Sequence, residues 1–130
     1  MIALDTYVFF EAMNKNERAI KVLKEVKEKG GVISVLVLTE LYYHLSKRNL
    51  VEEYYKIRVI IDELNIKIIP VTEEIAELAG KLRAKYYSKE RQISFIDCIH
   101  LATAIISKAK KFVTGDKDFL GIEEIKVELI

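Results

Sequence analysis

The chain has 130 residues, 51% of them hydrophobic and 32% charged, and a formal net charge of +1. That size and balance fit one folded domain over residues 1–130 and exclude a disordered chain. The near-neutral charge gives no bulk basic signal for nucleic acid, and no apolar stretch approaches the ~20 residues of a membrane helix. The apolar start is too short for a signal peptide. Cys98, the single cysteine, has no partner for a disulfide and suits a reducing compartment, so a cytoplasmic protein is expected.

In chain order, Met1-Ile2-Ala3-Leu4 is a short apolar run that suits a buried strand and ends abruptly in Asp5. A short helix is predicted over 6–13. A second, over 16–28, has Ala19, Ile20, Leu23 and Val26 on one face and stops at Gly30-Gly31. Val32-Ile33 reads as a second strand. Ser34 then caps a helix over 35–47, with Leu38, Leu41 and Leu45 as its buried stripe and Glu40 beside that stripe.

A helix over 50–64 turns Ile57, Ile60, Ile61 and Leu64 inward, and Lys67-Ile68-Ile69 is a third strand closed by Pro70. Thr72 caps the next helix, whose first turn holds Glu73 and Glu74 and whose stripe is Ile75, Leu78, Ala79, Leu82 and Tyr86. The charged loop Ser88–Gln92 leads into a helix over 94–109 that carries Asp97. Phe112-Val113 is a fourth strand, running into Thr114-Gly115-Asp116, and the alternating tail 125–129 reads as a fifth. Strands alternating with helices predict an α/β fold: a three-layer α/β/α sandwich on a mostly parallel sheet of four or five strands.

Two strands end in an acid, Asp5 and Asp116. In an open parallel sheet, ligands collect at the carboxyl ends of the strands where strand order reverses. Taken singly, each acid has an ordinary job. Asp5 can cap a helix, Asp97 follows Ser94 in a capping-box pattern, Asp116 can hold a turn, and Glu40 can pair with His44 one turn on. Together, Asp5, Glu40, Asp97 and Asp116 are expected at one edge of the sheet, where four carboxylates repel strongly unless a cation offsets them. Oxygen ligands favour Mg²⁺ or Mn²⁺ over zinc, and the chemistry that follows is metal-assisted attack of water on a phosphodiester.

Four stretches carry a family resemblance: Ile2-Ala3-Leu4-Asp5-Thr6, Leu38-Thr39-Glu40-Leu41, Phe95–Ala104, and Val113-Thr114-Gly115-Asp116-Lys117-Asp118-Phe119. In order and spacing the chain resembles the PIN-domain ribonucleases, most closely the VapC-type toxins of toxin–antitoxin pairs. The resemblance implies a Mg²⁺- or Mn²⁺-dependent endoribonuclease whose acidic cluster is Asp5, Glu40, Asp97 and Asp116, with Asp5 and Asp97 first among the direct ligands. It implies a supporting role for Asp118 and an orienting role for Thr6 and Thr114. It also implies an RNA substrate, a cognate antitoxin and a homodimer. Tyr7 stands where the family more often has a small polar residue.

Of the basic stretches (Lys47-Arg48, Lys89/Arg91 and Lys108/Lys110/Lys111), Lys89 and Arg91 are the foremost candidates for RNA contact, because their loop enters the Asp97 helix. His44 and His100 follow Glu40 and Asp97 at helical spacing, but the paired Glu-x-x-His pattern of di-iron bundles is missing, so packing or surface roles are expected. Tyr42, Tyr43, Tyr54 and Tyr55 cluster on adjacent helices and suit either a protein interface or partial burial. Two other classes compete: a non-catalytic PIN-like module that binds RNA or protein, and a haloacid-dehalogenase-like phosphatase. The latter needs Asp-x-Asp on the first strand, where this chain has Asp5-Thr6-Tyr7.

Overall fold

A computed structural model describes residues 1–130. Five strands form one sheet in the order β3-β2-β1-β4-β5, and every pairing is parallel. They are β1 (Ile2–Leu4), β2 (Gly31–Ser34), β3 (Ile66–Ile69), β4 (Lys111–Thr114) and β5 (Lys126–Leu129). The helices are α1 (Thr6–Met13), α2 (Glu17–Lys29), α3 (Leu36–Lys47), α4 (Val51–Glu63), α5 (Glu73–Tyr86) and α6 (Phe95–Ile106), with a 3₁₀ turn at Lys117–Phe119.

Alternation along the strands divides the core in two. Ile2, Leu4, Ile33 and Val113 point to the face covered by α1 to α4, where they meet Val8, Val26, Val37, Leu41 and Ile61. Ala3, Val32 and Phe112 point to the other face, among Ile75, Leu82, Cys98 and Leu101 of α5 and α6. With both faces covered, the inner strands β1, β2 and β4 are buried almost throughout and read as short apolar runs, whereas the edge strands β3 and β5 carry Lys67, Lys126 and Glu128.

The chain steps from β1 through β2 to β3 on one side, then crosses back to place β4 and β5 on the other. Strand order therefore reverses between β1 and β4, with Leu4 opposite Val113. Asp5 and Asp116 follow the carboxyl ends of these two neighbours, as the sequence predicts.

Several helix faces are rotated from expectation. On α3 the buried stripe is Val37, Leu41 and Leu45, with Leu38 half-buried. On α2 Val22 is buried in place of Ile20 and Leu23, and on α4 Ile60 is 41% exposed. Runs such as Val35-Leu36-Val37-Leu38 are apolar on every side, so periodicity alone cannot choose their inward face. Ser34 ends β2 instead of heading the helix, and its Oγ accepts the Leu36 N–H at 3.2 Å. Only Val35 separates strand from helix, and its N–H donates to Ile69 O at 2.9 Å. Gly31 is required by packing: a Cβ there would lie 2.7 Å from Val26 Cγ1.

Candidate metal centre

The β1–α1 joint holds the first acid. Asp5 caps α1, with Oδ1 accepting from the Thr6 N–H at 2.8 Å and Oδ2 from the Thr114 hydroxyl at 2.7 Å. The Asp5 N–H continues the ladder to Val113 O. A carboxylate at a strand end thus serves as cap and remains in the crevice. It is 7% exposed. Burial pushes its carboxyl up to about 6 against the pull of His100 and the Thr114 hydrogen bond, and the Asp97 charge adds to the rise. Asp5 is a buried acid without a full countercharge.

Glu40 enters from α3. Its Oε1 accepts from Thr6 Oγ1 at 2.6 Å and lies 2.5 Å from His100 Nε2. Burial disfavours its ionisation, but the bonds from His100 and Thr6 outweigh burial and hold the carboxyl below its usual range. Asp5, Glu40 and His100 each present a ligand atom within 4.8 Å of the others.

Asp97 and Asp116 do not join that group. Asp97 forms the capping box of α6: it accepts the Ser94 N–H on Oδ2 at 3.0 Å, and its own N–H donates to Ser94 Oγ at 3.0 Å. Burial raises its carboxyl, against the bonds from Ser94, and the negative charge of Asp116 raises it further. Asp116 Oδ1 accepts the Asp118 N–H at 2.8 Å, and the Asp116 N–H donates to Thr114 Oγ1 at 3.1 Å. Thr114 therefore ties Asp116 to Asp5, while Asp118 contributes a backbone N–H to the turn.

The sequence reading placed four acids together and left both histidines out. The structure draws Asp5 and Glu40 close, leaves Asp97 and Asp116 half-buried outside that group, and adds His100, which is 2% exposed. One signal could have found it: Asp97 and His100 lie three residues apart on one face of α6, a helix whose only other polar side chain is Thr103. His44 stays outside, edge-on to Phe10 and Tyr43. Tyr7 rests against Gly115, where a Cβ would fall 2.0 Å from the ring, so only glycine admits the tyrosine beside Asp116.

The basic candidates separate clearly. Arg91 donates to Leu120 O at 2.6 Å and lies over the Tyr86 ring, a structural tie. Lys89 is exposed. Lys111 sits at the opposite end of β4 from Thr114, bonded to Glu25 and Glu128, and Lys47 lies over Tyr43. Tyr42, Tyr43 and Tyr55 are exposed at 43%, 55% and 57%, while Tyr54 packs edge-on to Tyr42 and against the core.

A cluster of buried and half-buried acids at the switch point of a parallel α/β/α sandwich defines a class: α/β domains whose strand-end carboxylates could hold a cation. The family model described as PIN domain matches residues 2–125, and the chain belongs to the PIN domain family. Solved structures agree. A chain of the VapBC2 complex from Rickettsia felis, bound to a promoter DNA fragment, is 27% identical with TM-score 0.79, covering 99% of this chain and 98% of its own. Chains of DNA-bound VapBC from Salmonella typhimurium (23%, TM-score 0.77, 98% and 96% covered) and of a Klebsiella pneumoniae toxin–antitoxin complex (23%, 0.73, 96% and 95%) share the fold. No curated relative matches the chain.

Proposed function

We propose that this protein is a Mg²⁺- or Mn²⁺-dependent endoribonuclease and the toxin of a toxin–antitoxin pair. PIN domain membership makes it a nuclease of general kind. The observation that carries the finer reading is the buried Asp5 carboxyl, raised to about 6 by burial and set beside Glu40 at the switch point. A divalent cation would relieve that burden, and the carboxylate oxygens of Asp5, Glu40, Asp97 and Asp116 are the donors that Mg²⁺ and Mn²⁺ prefer. Asp5 and Asp97 would hold it, with Glu40 and Asp116 completing the set. When bound, the cation supplies charge neutralisation at a phosphate and a more acidic water.

The chain's own residues supply the rest. Glu40, held below its usual range, is ionised at neutral pH and can accept the proton of the attacking water. Thr6 and Thr114 fix the acids through hydroxyl hydrogen bonds of 2.6 and 2.7 Å. Lys89 meets the RNA backbone, and the product ends are a 5′-phosphate and a 3′-hydroxyl. Arg91, committed to Leu120 O, supports the loop instead.

The similar structures named as toxin–antitoxin and VapBC complexes support an antitoxin partner. The exposed tyrosines of α3 and α4 suit that contact or a second copy of the chain in a homodimer. No helix is long and apolar enough to cross a membrane. Purified protein should cleave a panel of structured RNAs only with Mg²⁺ or Mn²⁺, and Asp5→Asn should abolish cleavage while the fold persists. Full activity of Asp5→Asn with metal present would remove the metal-site reading.

A further inference from the structure

His100 stands inside an apolar helix with almost none of its surface exposed, yet it touches a site acid from another layer of the fold. Glu40 belongs to α3 on one face of the sheet and His100 to α6 on the other, 60 residues later. Their contact is 2.5 Å between Nε2 and Oε1. Thr6 Oγ1 donates to the same Oε1 at 2.6 Å. The second ring nitrogen, Nδ1, is buried and has no hydrogen-bond partner.

We propose that His100 is a positioning residue, holding Glu40 by an Nε2–H···Oε1 hydrogen bond across the two helical layers, and is not itself a ligand of the cation. The inference rests on the reading of Glu40 as part of a metal centre. A contact this short between a ring nitrogen and a carboxylate oxygen needs a proton between them, since otherwise two lone pairs would face each other. Glu40 is the ionised partner, so the proton resides on Nε2. That is true of the neutral ring with its proton on Nε2 and of the doubly protonated ring alike. In both, the lone pair that a cation would need at Nε2 is absent.

Nδ1 gives a second, independent reason. A metal-bound histidine normally passes its other ring N–H to a carboxylate, carbonyl or water, which fixes ring and tautomer. If Nε2 bound a cation here, Nδ1 would keep the proton with no acceptor in reach. In the neutral braced ring Nδ1 is only an unused lone pair, and a buried N–H without a partner is rarer and costlier than that. The donor geometry within 4.8 Å of Asp5 therefore belongs to a brace, not to a third ligand. Both donors fall on Oε1 of Glu40, and Oε2 takes part in neither bond. Glu40 is thereby fixed about its terminal torsion with one oxygen uncommitted, as either a ligand or a proton acceptor requires.

The test reads the ring itself. In ¹⁵N-labelled metal-free protein, the His100 Nε2–H proton should resonate far downfield. It should move upfield or vanish in Glu40→Ala, and persist when Mg²⁺ is added to saturation. Loss of the resonance on Mg²⁺ addition would make His100 a ligand and overturn the proposal, as would a resonance indifferent to Glu40→Ala.

Calorimetric titration with Mg²⁺ gives the energetic counterpart. His100→Leu should weaken binding roughly tenfold to a hundredfold, the usual effect of removing an orienting partner. His100→Gln, which keeps an N–H donor, should retain most of the affinity. In a Glu40→Ala background, His100→Leu should change nothing further. Unchanged affinity in a folded His100→Leu variant, checked by thermal unfolding, would overturn the proposal. If the wild-type chain binds no cation, the metal-centre reading fails while the ring resonance still decides the His100–Glu40 bond.

Discussion

Replacing Asp5 by asparagine should make the metal-free protein more stable. In the fold its carboxyl is raised from 3.8 to about 6, chiefly by burial. Between those values the folded state keeps a proton that the unfolded chain has released. Stability therefore falls as pH rises through that window and levels off above it. Two pH units correspond to about 3 kcal/mol. Asparagine removes the buried charge, but its amide nitrogen cannot accept the Thr114 hydroxyl as Oδ2 does, which returns about 1 kcal/mol. The net gain is about 1–2 kcal/mol above about pH 7, or several degrees in Tm, and it disappears near about pH 4. Thermal unfolding in EDTA across that range measures it. Saturating Mg²⁺ should reverse the order, since ligand at about a hundredfold over Kd stabilises the wild-type chain by about 2.7 kcal/mol and leaves the variant unmoved. An asparagine variant that melts below wild type in EDTA near about pH 8, or gains equally from Mg²⁺, would refute the reasoning.

Ser94→Ala removes the Oγ half of the capping box and should lower stability by about 1 kcal/mol in a denaturant titration, while the backbone N–H at position 94 still holds Asp97 Oδ2. Gly115→Ala should force Tyr7 off the loop that carries Asp116, reducing cleavage more than stability; comparing kcat with Tm separates the two. Lys89→Ala and Arg91→Ala should behave oppositely. The first weakens RNA binding and flattens its salt dependence, and the second lowers Tm through the lost bond to Leu120 O, as binding and unfolding measured side by side would report. Phe112→Ala, at a fully buried ring edge-on to Phe119, should cost about 3–5 kcal/mol in chemical unfolding.

The inner strands were legible because β1 and β2 are short apolar runs with both faces covered, and the edge strand β5 was legible from its alternation of polar and apolar residues. The acid positions were legible for a related reason: Asp5 interrupts an apolar run, and Ser94 announces the helix that carries Asp97. Glu40 was harder, because Val35–Leu38 is apolar on every side and the inward face of α3 is settled by β2 and α4. His100 escaped because helical spacing directs attention to Asp97, three residues back, whereas its partner is 60 residues away and reaches it across the sheet. Local periodicity reports the face on which a side chain lies, not what the opposing layer brings to it. Arg91 shows a bond the sequence does not announce: its guanidinium donates to the backbone carbonyl of Leu120, 29 residues on.

The pairing of β1 with β4 also dictates when the site comes into being. The hydrogen bond from Thr114 to Asp5 spans 109 residues, and Leu4 meets Val113 in the same ladder. β1 is synthesised well before its central neighbour β4, with β2, β3 and six helices made between them. Until then Asp5 lacks Thr114, Asp116 is absent, and no acidic pocket exists. Closing so long a loop is also a slow, late event in folding. Truncation anywhere before β4 consequently yields a fragment in which Asp5 has neither Thr114 nor Asp116 beside it, whatever helices it retains.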